Sequence, residues 1–229
     1  MKSVSFIIKK SDMSAKVKKV TKDSIITMFM DYVLEHEQFP KTVYKFCKVN
    51  AIEESDFYLY FGSIDALKKG IWNTFFENTI NVIHKNSEYE AFTNRDKMLT
   101  FFYTLFEVLT LNRSYVLFVM ENATSPLKSL EQLKGLRKNV KRFTKDLISD
   151  GNTSKNLKIT RHSPQLFSEG AWLQTLFLLN FWKSDDSASF EKTDVAIEKS
   201  VNTTFDVFDN TPMENILDFG KFLYKEKFT

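Results

Sequence analysis

The chain has 229 residues, enough for one large domain or two small ones, and its 43% hydrophobic content excludes a disordered polypeptide. Six glycines and four prolines against 23 phenylalanines leave few turns and many bulky apolar groups, which points to a mostly helical protein. Thirty-two basic and 29 acidic residues leave a net charge of +3, too small by itself to announce a nucleic-acid or membrane partner.

That charge is unevenly spread. Residues 1–22 carry Lys2, Lys9, Lys10, Lys16, Lys18, Lys19 and Lys22 against Asp12 alone, seven cations and one anion, which makes the segment net +6. Such an arm can lie along a DNA backbone or simply remain a solvated terminus. Val17 to Glu35 reads as a first helix, with Val20, Ile25, Met28, Phe29, Tyr32 and Val33 near helical spacing, and Pro40 marks the break after it. Between Phe39 and Leu67 the pattern is two short helices around a tight turn. Val43, Phe46 and Cys47 share the apolar side of the first, Asn50 and Ala51 allow the turn, Ile52 fills the corner, and Phe57 with Phe61 gives the second an i, i+4 seam. This is a helix-turn-helix signature, whose second helix is normally offered to the DNA major groove.

At these residues the chain resembles the amino-terminal domain of the TetR family of bacterial regulators. The matching pieces are Thr42-Val43, Ala51-Ile52, Phe57-Tyr58, Tyr60-Phe61-Gly62-Ser63 and Asp65-Ala66-Leu67. The resemblance implies an all-α, TetR-like fold: a three-helix head plus a larger helical body with a dimerising helix pair. It divides the chain into residues 1–65, arm and DNA-binding-type domain, and 66–229, ligand-binding and dimerisation domain. It further implies a homodimer on double-stranded DNA, with Thr42, Lys45, Tyr58 and Tyr60 on phosphates and the helix from Glu53 to Tyr60, including Glu54, Ser55 and Asp56, reading bases.

Two departures from the family pattern touch that function. Family members usually carry small polar or basic residues where this chain has Glu53, Glu54 and Asp56, and a lysine where it has Ile64. DNA affinity comes largely from cations that displace condensed counterions, so carboxylates at the same surface are repelled. A carboxylate can nevertheless accept a hydrogen bond from cytosine N4. Either the acids serve as first-turn charges or caps on a helix macrodipole, or groove reading has been lost.

From Asp65 to about Lys85 an amphipathic helix follows, apolar at Leu67, Ile71, Trp72, Phe75, Phe76, Ile80 and Ile83; by resemblance it links head to body. Arg95 to about Glu121 is either one bent helix or two helices meeting at Asn112, because Asn112 and Arg113 fall where a continuous buried helix would not want them. Thr100, Thr104, Glu107 and Ser114 share one face, a solvated or partner-facing stripe, unless Glu107 anchors a pocket. Ser125-Pro126 opens a helix that Asp150-Gly151-Asn152 is expected to end near Ser149. Its apolar stripe is Leu130, Leu133, Leu136, Val140, Phe143 and Leu147. The opposite face carries Lys128, Lys134, Arg137, Lys138, Lys141, Arg142 and Lys145, a surface either merely solvated or suited to acidic lipid or a protein partner.

After a polar loop from Gly151 to His162, Ser163-Pro164 starts a helix that is apolar almost all round from Ala171 to Trp182. A helix without a polar face must be covered on both sides, by its own core and by a second subunit. Asp185-Asp186-Ser187 forms a turn, Phe190 to Phe208 an amphipathic helix, and Thr211-Pro212-Met213-Glu214 caps a final helix through Phe219, Phe222 and Leu223. The short turn makes the first two antiparallel neighbours. By resemblance such a late pair forms a four-helix bundle across a two-fold axis, with Leu176, Leu179, Trp182, Ile197, Val201 and Phe205 as the expected dimerisation residues. The resemblance also implies a small apolar ligand in the body, with Phe101, Phe102, Leu105, Phe106, Phe118, Trp172 and Phe177 as the expected lining.

One cysteine, Cys47, excludes an internal disulfide and fits a reducing compartment. The start of the chain lacks a signal-peptide pattern and no stretch is long and apolar enough to span a bilayer, so a cytoplasmic protein is expected. No nucleophile elbow, phosphate loop, dinucleotide fingerprint or zinc-protease motif occurs, and His36, His84 and His162 are scattered, so neither an enzyme, a metal nor a cofactor is expected. Two functions remain: a TetR-like transcriptional regulator, a DNA-binding dimer modulated by a small apolar ligand, or a TetR-fold protein that has lost specific DNA binding and holds a lipid or other apolar ligand.

Overall fold

The computed structural model describes residues 20–122, 130–153 and 163–210. The lysine arm up to Lys19, the Ser125-Pro126 helix start, residues 154–162 of the polar loop and the final helix from Thr211 lie outside the described residues. Within them the fold is all-α and contains no strand. The helices are α1 (Lys22–His36), α2 (Val43–Val49), α3 (Glu54–Tyr58), α4 (Ile64–Ile83), α5 (Asn94–Leu111), α6 (Arg113–Glu121), α7 (Lys134–Thr153), α8 (Pro164–Lys183) and α9 (Glu191–Asn210), with 3-10 turns at Tyr89–Ala91 and Ala188–Phe190.

Side-chain caps decide where most of them begin. Thr21 accepts from the Ser24 amide while Ser24 returns the bond to the Thr21 backbone, so α1 starts at Lys22. The expected start at Val17 is therefore corrected, since Val20 and Thr21 already lie before the helix. Thr42, Ser63, Thr93 and Ser163 cap α2, α4, α5 and α8 in the same manner, each accepting from a backbone N–H three residues on. Asn112 ends α5, so the two-helix alternative holds for that segment, and its side chain donates to the Val108 carbonyl.

The far end of α7 overturns an expectation. Asp150, Gly151 and Asn152 continue the helix to Thr153 rather than ending it. Gly151 lies so close to the Asn94 side chain that a Cβ there would meet its amide nitrogen at 2.1 Å. Its missing side chain lets the start of α5 approach, a tertiary use of glycine and not a local stop.

One continuous apolar core runs from Ile25 in α1 to Phe205 in α9. In the head it is a chain of aromatic edges: Phe29 meets Phe46 at 5.8 Å between ring centres, Phe46 meets Phe57 at 5.9 Å, and Phe57 meets Phe61 at 6.0 Å. Each such pair adds about 0.5–1.5 kcal/mol to the burial of the rings themselves. The head joins the body through α4 and also through α6, where Tyr115 packs edge-on against Phe29 and Phe118 against Phe39. In the body Phe76 meets Phe101, which stacks on Phe143 of α7 at 4.7 Å.

Candidate nucleic-acid interface and body cavities

Helices α2 and α3 pack through Phe46 and Phe57, both fully buried, and Ile52 closes the corner between them with its amide on the Cys47 carbonyl. Reversal of the chain there needs a left-handed residue, and Ala51 supplies it at φ 52°. With the apolar sides used internally, the other sides face outward. Thr42, Lys45, Ser55, Tyr58 and Tyr60 are exposed, Glu54 and Asp56 partly so. These expected DNA-contact residues therefore share the surface of one two-helix unit.

Charge on that unit is segregated. On and beside α2 lie Lys41, Lys45 and Lys48, which have no ion pair among the described residues, while α3 and its entry carry Glu53, Glu54 and Asp56 and no cation. Glu53 occupies the N-cap position of α3 but makes no side-chain cap bond, so capping does not account for it; Glu54 and Asp56 do fall in the first turn, where the macrodipole favours them. Their field is felt at Cys47, whose thiol is pushed up first by burial and then by Glu54, Glu53 and Asp56. Tyr60 donates its hydroxyl to the Val20 carbonyl at 3.2 Å, which ties the residues just before α1 to the end of α3.

The expected pocket residues occupy different places in the described structure. Phe101, Phe102 and Leu105 are fully buried core and Trp172 nearly so, Phe118 packs at the head junction, and Phe177 is 53% exposed on the outside of α8. The expected dimerisation residues lie mostly inward in the protomer. Leu179, Trp182, Ile197, Val201 and Phe205 are buried in the protomer's own core and Leu176 is partly buried against it, so the face turned outward is a different one. That face carries Leu173, Phe177 and Phe181 on α8 at i, i+4 spacing, opposite Val195 and Ala196 on α9. Together they line an open groove of about 1000 Å³, with Gln174 donating to Ser200 between the helices.

A second, smaller cavity of about 310 Å³ lies where α5 meets the turn between α8 and α9. Phe106 is the one expected pocket residue on its wall, joined by Tyr103, Glu107, Thr110, Trp182, Phe190 and Asp194. The turn beside it is built around Asp185. This buried carboxylate accepts from the backbone N–H and hydroxyl of both Ser187 and Thr193, at 2.6–2.9 Å. Burial alone would raise its pKa; those four bonds outweigh burial and hold it well below the usual carboxylate range. Arg113, at the start of α6, donates to the carbonyls of Trp182, Lys183 and Asp185 and so satisfies the end of α8, while its guanidinium stands 4.4 Å from the Trp182 and Phe190 ring centres. The sequence marked 185–187 only as a turn; the aspartate's burial had no local signal.

Among the described residues no group of His, Cys, Asp and Glu could hold a metal ion, and no helix is long and apolar enough to cross a membrane. Residues 97–223 match the family model described as tetracyclin repressor-like, C-terminal domain. No curated protein matches the chain in sequence. The fold is similar to a crystal structure of a protein from Syntrophomonas wolfei str. Goettingen assigned to the TetR family of transcriptional regulators, with a TM-score of 0.61 and 16% identity, covering 84% of this chain and 96% of that one.

Proposed function

Because the chain belongs to the tetracyclin repressor-like (TetR) family, we propose that it acts as a homodimeric, DNA-binding regulator whose grip on DNA is set by a small ligand in the body. The observation that carries this reading is the α2–α3 unit, which buries Phe46 and Phe57 internally and leaves Thr42, Lys45 and Tyr58 exposed to solvent. Lys41, Lys45 and Lys48, free of ion pairs among the described residues, suit phosphate contact, and the seven lysines of residues 1–22 add to the positive charge.

The outer groove of α8 and α9 supports the dimer. Leu173 and Phe177 are 66% and 53% exposed, more apolar surface than a solvated helix pair usually leaves in one stripe, and a second copy laid across it completes a four-helix bundle. Residues 1–65 act as the DNA-binding unit and 66–229 as the ligand and dimer unit, with α4 and α6 between them. A ligand regulates the head only if it binds one head spacing better than another. A regulator of this kind works in the cytoplasm.

The acids of α3 favour a second reading, in which the fold is kept, specific DNA binding is gone and the body holds a lipid or other apolar ligand. Fluorescence anisotropy of the full chain with its own upstream DNA and with scrambled DNA, across a salt series, separates the two. Preference for its own DNA with a steep salt slope supports the regulator; weak binding to both, vanishing near physiological salt, supports the second. Replacing Glu54 by Lys and Asp56 by Thr together is expected to raise DNA affinity about tenfold or more if the head docks, because two repelled carboxylates leave the phosphate surface. Unchanged affinity would mean that α3 does not approach DNA.

A further inference from the structure

We propose that the 310 Å³ cavity at the α8–α9 turn is a binding site for an organic cation, a small amine with an aromatic or aliphatic body. This rests on the reading that the body takes a small ligand and names its chemical class. The volume lies at the lower end of the about 300–1,000 Å³ usual for small-molecule sites, so the ligand is compact.

The lining selects the charge. Tyr103 and Phe190 bring aromatic rings to the cavity, backed by the buried Phe106 and Trp182, and Glu107 and Asp194 supply two carboxyl groups. Both acids are exposed side chains, and neither has an ion pair among the described residues. Of the nearby cations, Lys192 pairs with Asp186, and Arg113 donates to three carbonyl oxygens and already covers one face of Trp182 and of Phe190, which leaves Tyr103 as the most open ring for a ligand. The carboxyl of Asp194 is pushed up by burial and by the neighbouring Asp185 and Glu191, a negative surrounding that a bound cation relieves.

A neutral apolar guest would satisfy the rings and gain nothing from the two carboxylates, which would stay paired with water. An anion would be repelled by both. An ammonium group on an aromatic body meets the rings by cation–π attraction and the carboxylates by charge, and the same cavity provides both. Thr110, partly buried on the wall, accepts from the Trp182 indole N–H and so holds that buried ring in place behind the cavity.

The test is calorimetric titration of the full chain with three compounds that share an indole body and differ in charge: tryptamine, tryptophol and indole-3-acetate. Tryptamine is expected to bind about tenfold or more tighter than tryptophol, with no measurable binding of the acid. Glu107→Gln and Asp194→Asn should each weaken tryptamine about fivefold while leaving tryptophol unchanged, since both side chains lie at the surface and their loss does not disturb the core. Glu88→Gln, away from the cavity, serves as the control and should change nothing.

Equal affinity for tryptamine and tryptophol, or a Glu107→Gln, Asp194→Asn double variant that binds tryptamine normally, would overturn the cation assignment. Absence of binding by all three compounds would overturn the cavity as a ligand site, while the apolar-ligand reading is judged separately by mass spectrometry of small molecules extracted from the purified protein. Tryptamine binding with no change in DNA anisotropy would support the site and sink only its coupling to the head.

Discussion

At residues 50–52 the chain reverses between α2 and α3 on a single left-handed alanine, with no charged group in the turn and with Phe46 against Phe57 holding the two helices. At residues 184–190 it reverses between α8 and α9 around a buried carboxylate that accepts four hydrogen bonds, with an arginine satisfying the end of the incoming helix. Both turns join consecutive helices, and both sit beside a surface proposed to bind something. The first depends on apolar packing, which is insensitive to pH and tolerant of surface charge. The second depends on satisfied buried polar groups, which specify geometry strongly and fail abruptly when one partner is removed.

The contrast is sharpest if packing is removed from the head. Phe57→Ala deletes a fully buried ring that touches Phe46 and Phe61, and should cost about 3–5 kcal/mol, read as a fall in the thermal or urea midpoint. DNA binding should be lost with it, because a five-residue helix has nothing else to hold it in place. A variant that keeps its midpoint would mean that the aromatic chain does not hold the head.

Asp185→Asn tests the other turn. It replaces the charged acceptor of four bonds and should cost about 2 kcal/mol, with the groove and the small cavity distorted and the head intact. The pH dependence follows from the direction of the shift. A carboxylate whose pKa is lowered by folding contributes stability that is fully present above its ordinary value near pH 4, and loses it as pH falls from there toward its lowered value. The stability gap between the wild type and Asp185→Asn should therefore be constant from about pH 6 to 8 and should close below about pH 4. A gap independent of pH would mean that the charge of Asp185 is not what holds the turn.

Smallest is the effect of Ala51→Gly. A Cβ in the left-handed region costs about 1–2 kcal/mol, and glycine gives back about 0.5–1 kcal/mol in lost chain freedom, so the variant should gain roughly 0.5 kcal/mol. A rise of a degree or two in the midpoint with unchanged DNA affinity fits. A loss of stability would show that Ala51 contributes packing that the turn requires.

Much of this was legible locally. The 3.6-residue period located most of the helices, Ser163-Pro164 marked the start of α8, and the polar interruption at Asn112 and Arg113 marked the junction of α5 and α6. Thr21, with Ser24 in place of the usual acid or amide, was a cap signal too weak to be read ahead of the apolar residues before it. The sites were less legible for a related reason. From Ala171 to Trp182 α8 is apolar almost all round, so the period says that both sides are covered but not which side goes inward; Leu179 and Trp182 went to the core, and Leu173 and Phe177 to the groove.

By itself, then, the sequence determined the helical class, the order of the elements, the helix-turn-helix and the family, because caps, spacing and propensity act within a few residues of chain. Only the tertiary structure decided that Gly151 continues a helix instead of ending it, that Asp185 is buried, that Arg113 reaches the end of α8, and that two acids and four rings meet at one cavity. Each of those depends on what approaches from a distant part of the chain, and no local period or propensity encodes the arrival of a neighbour.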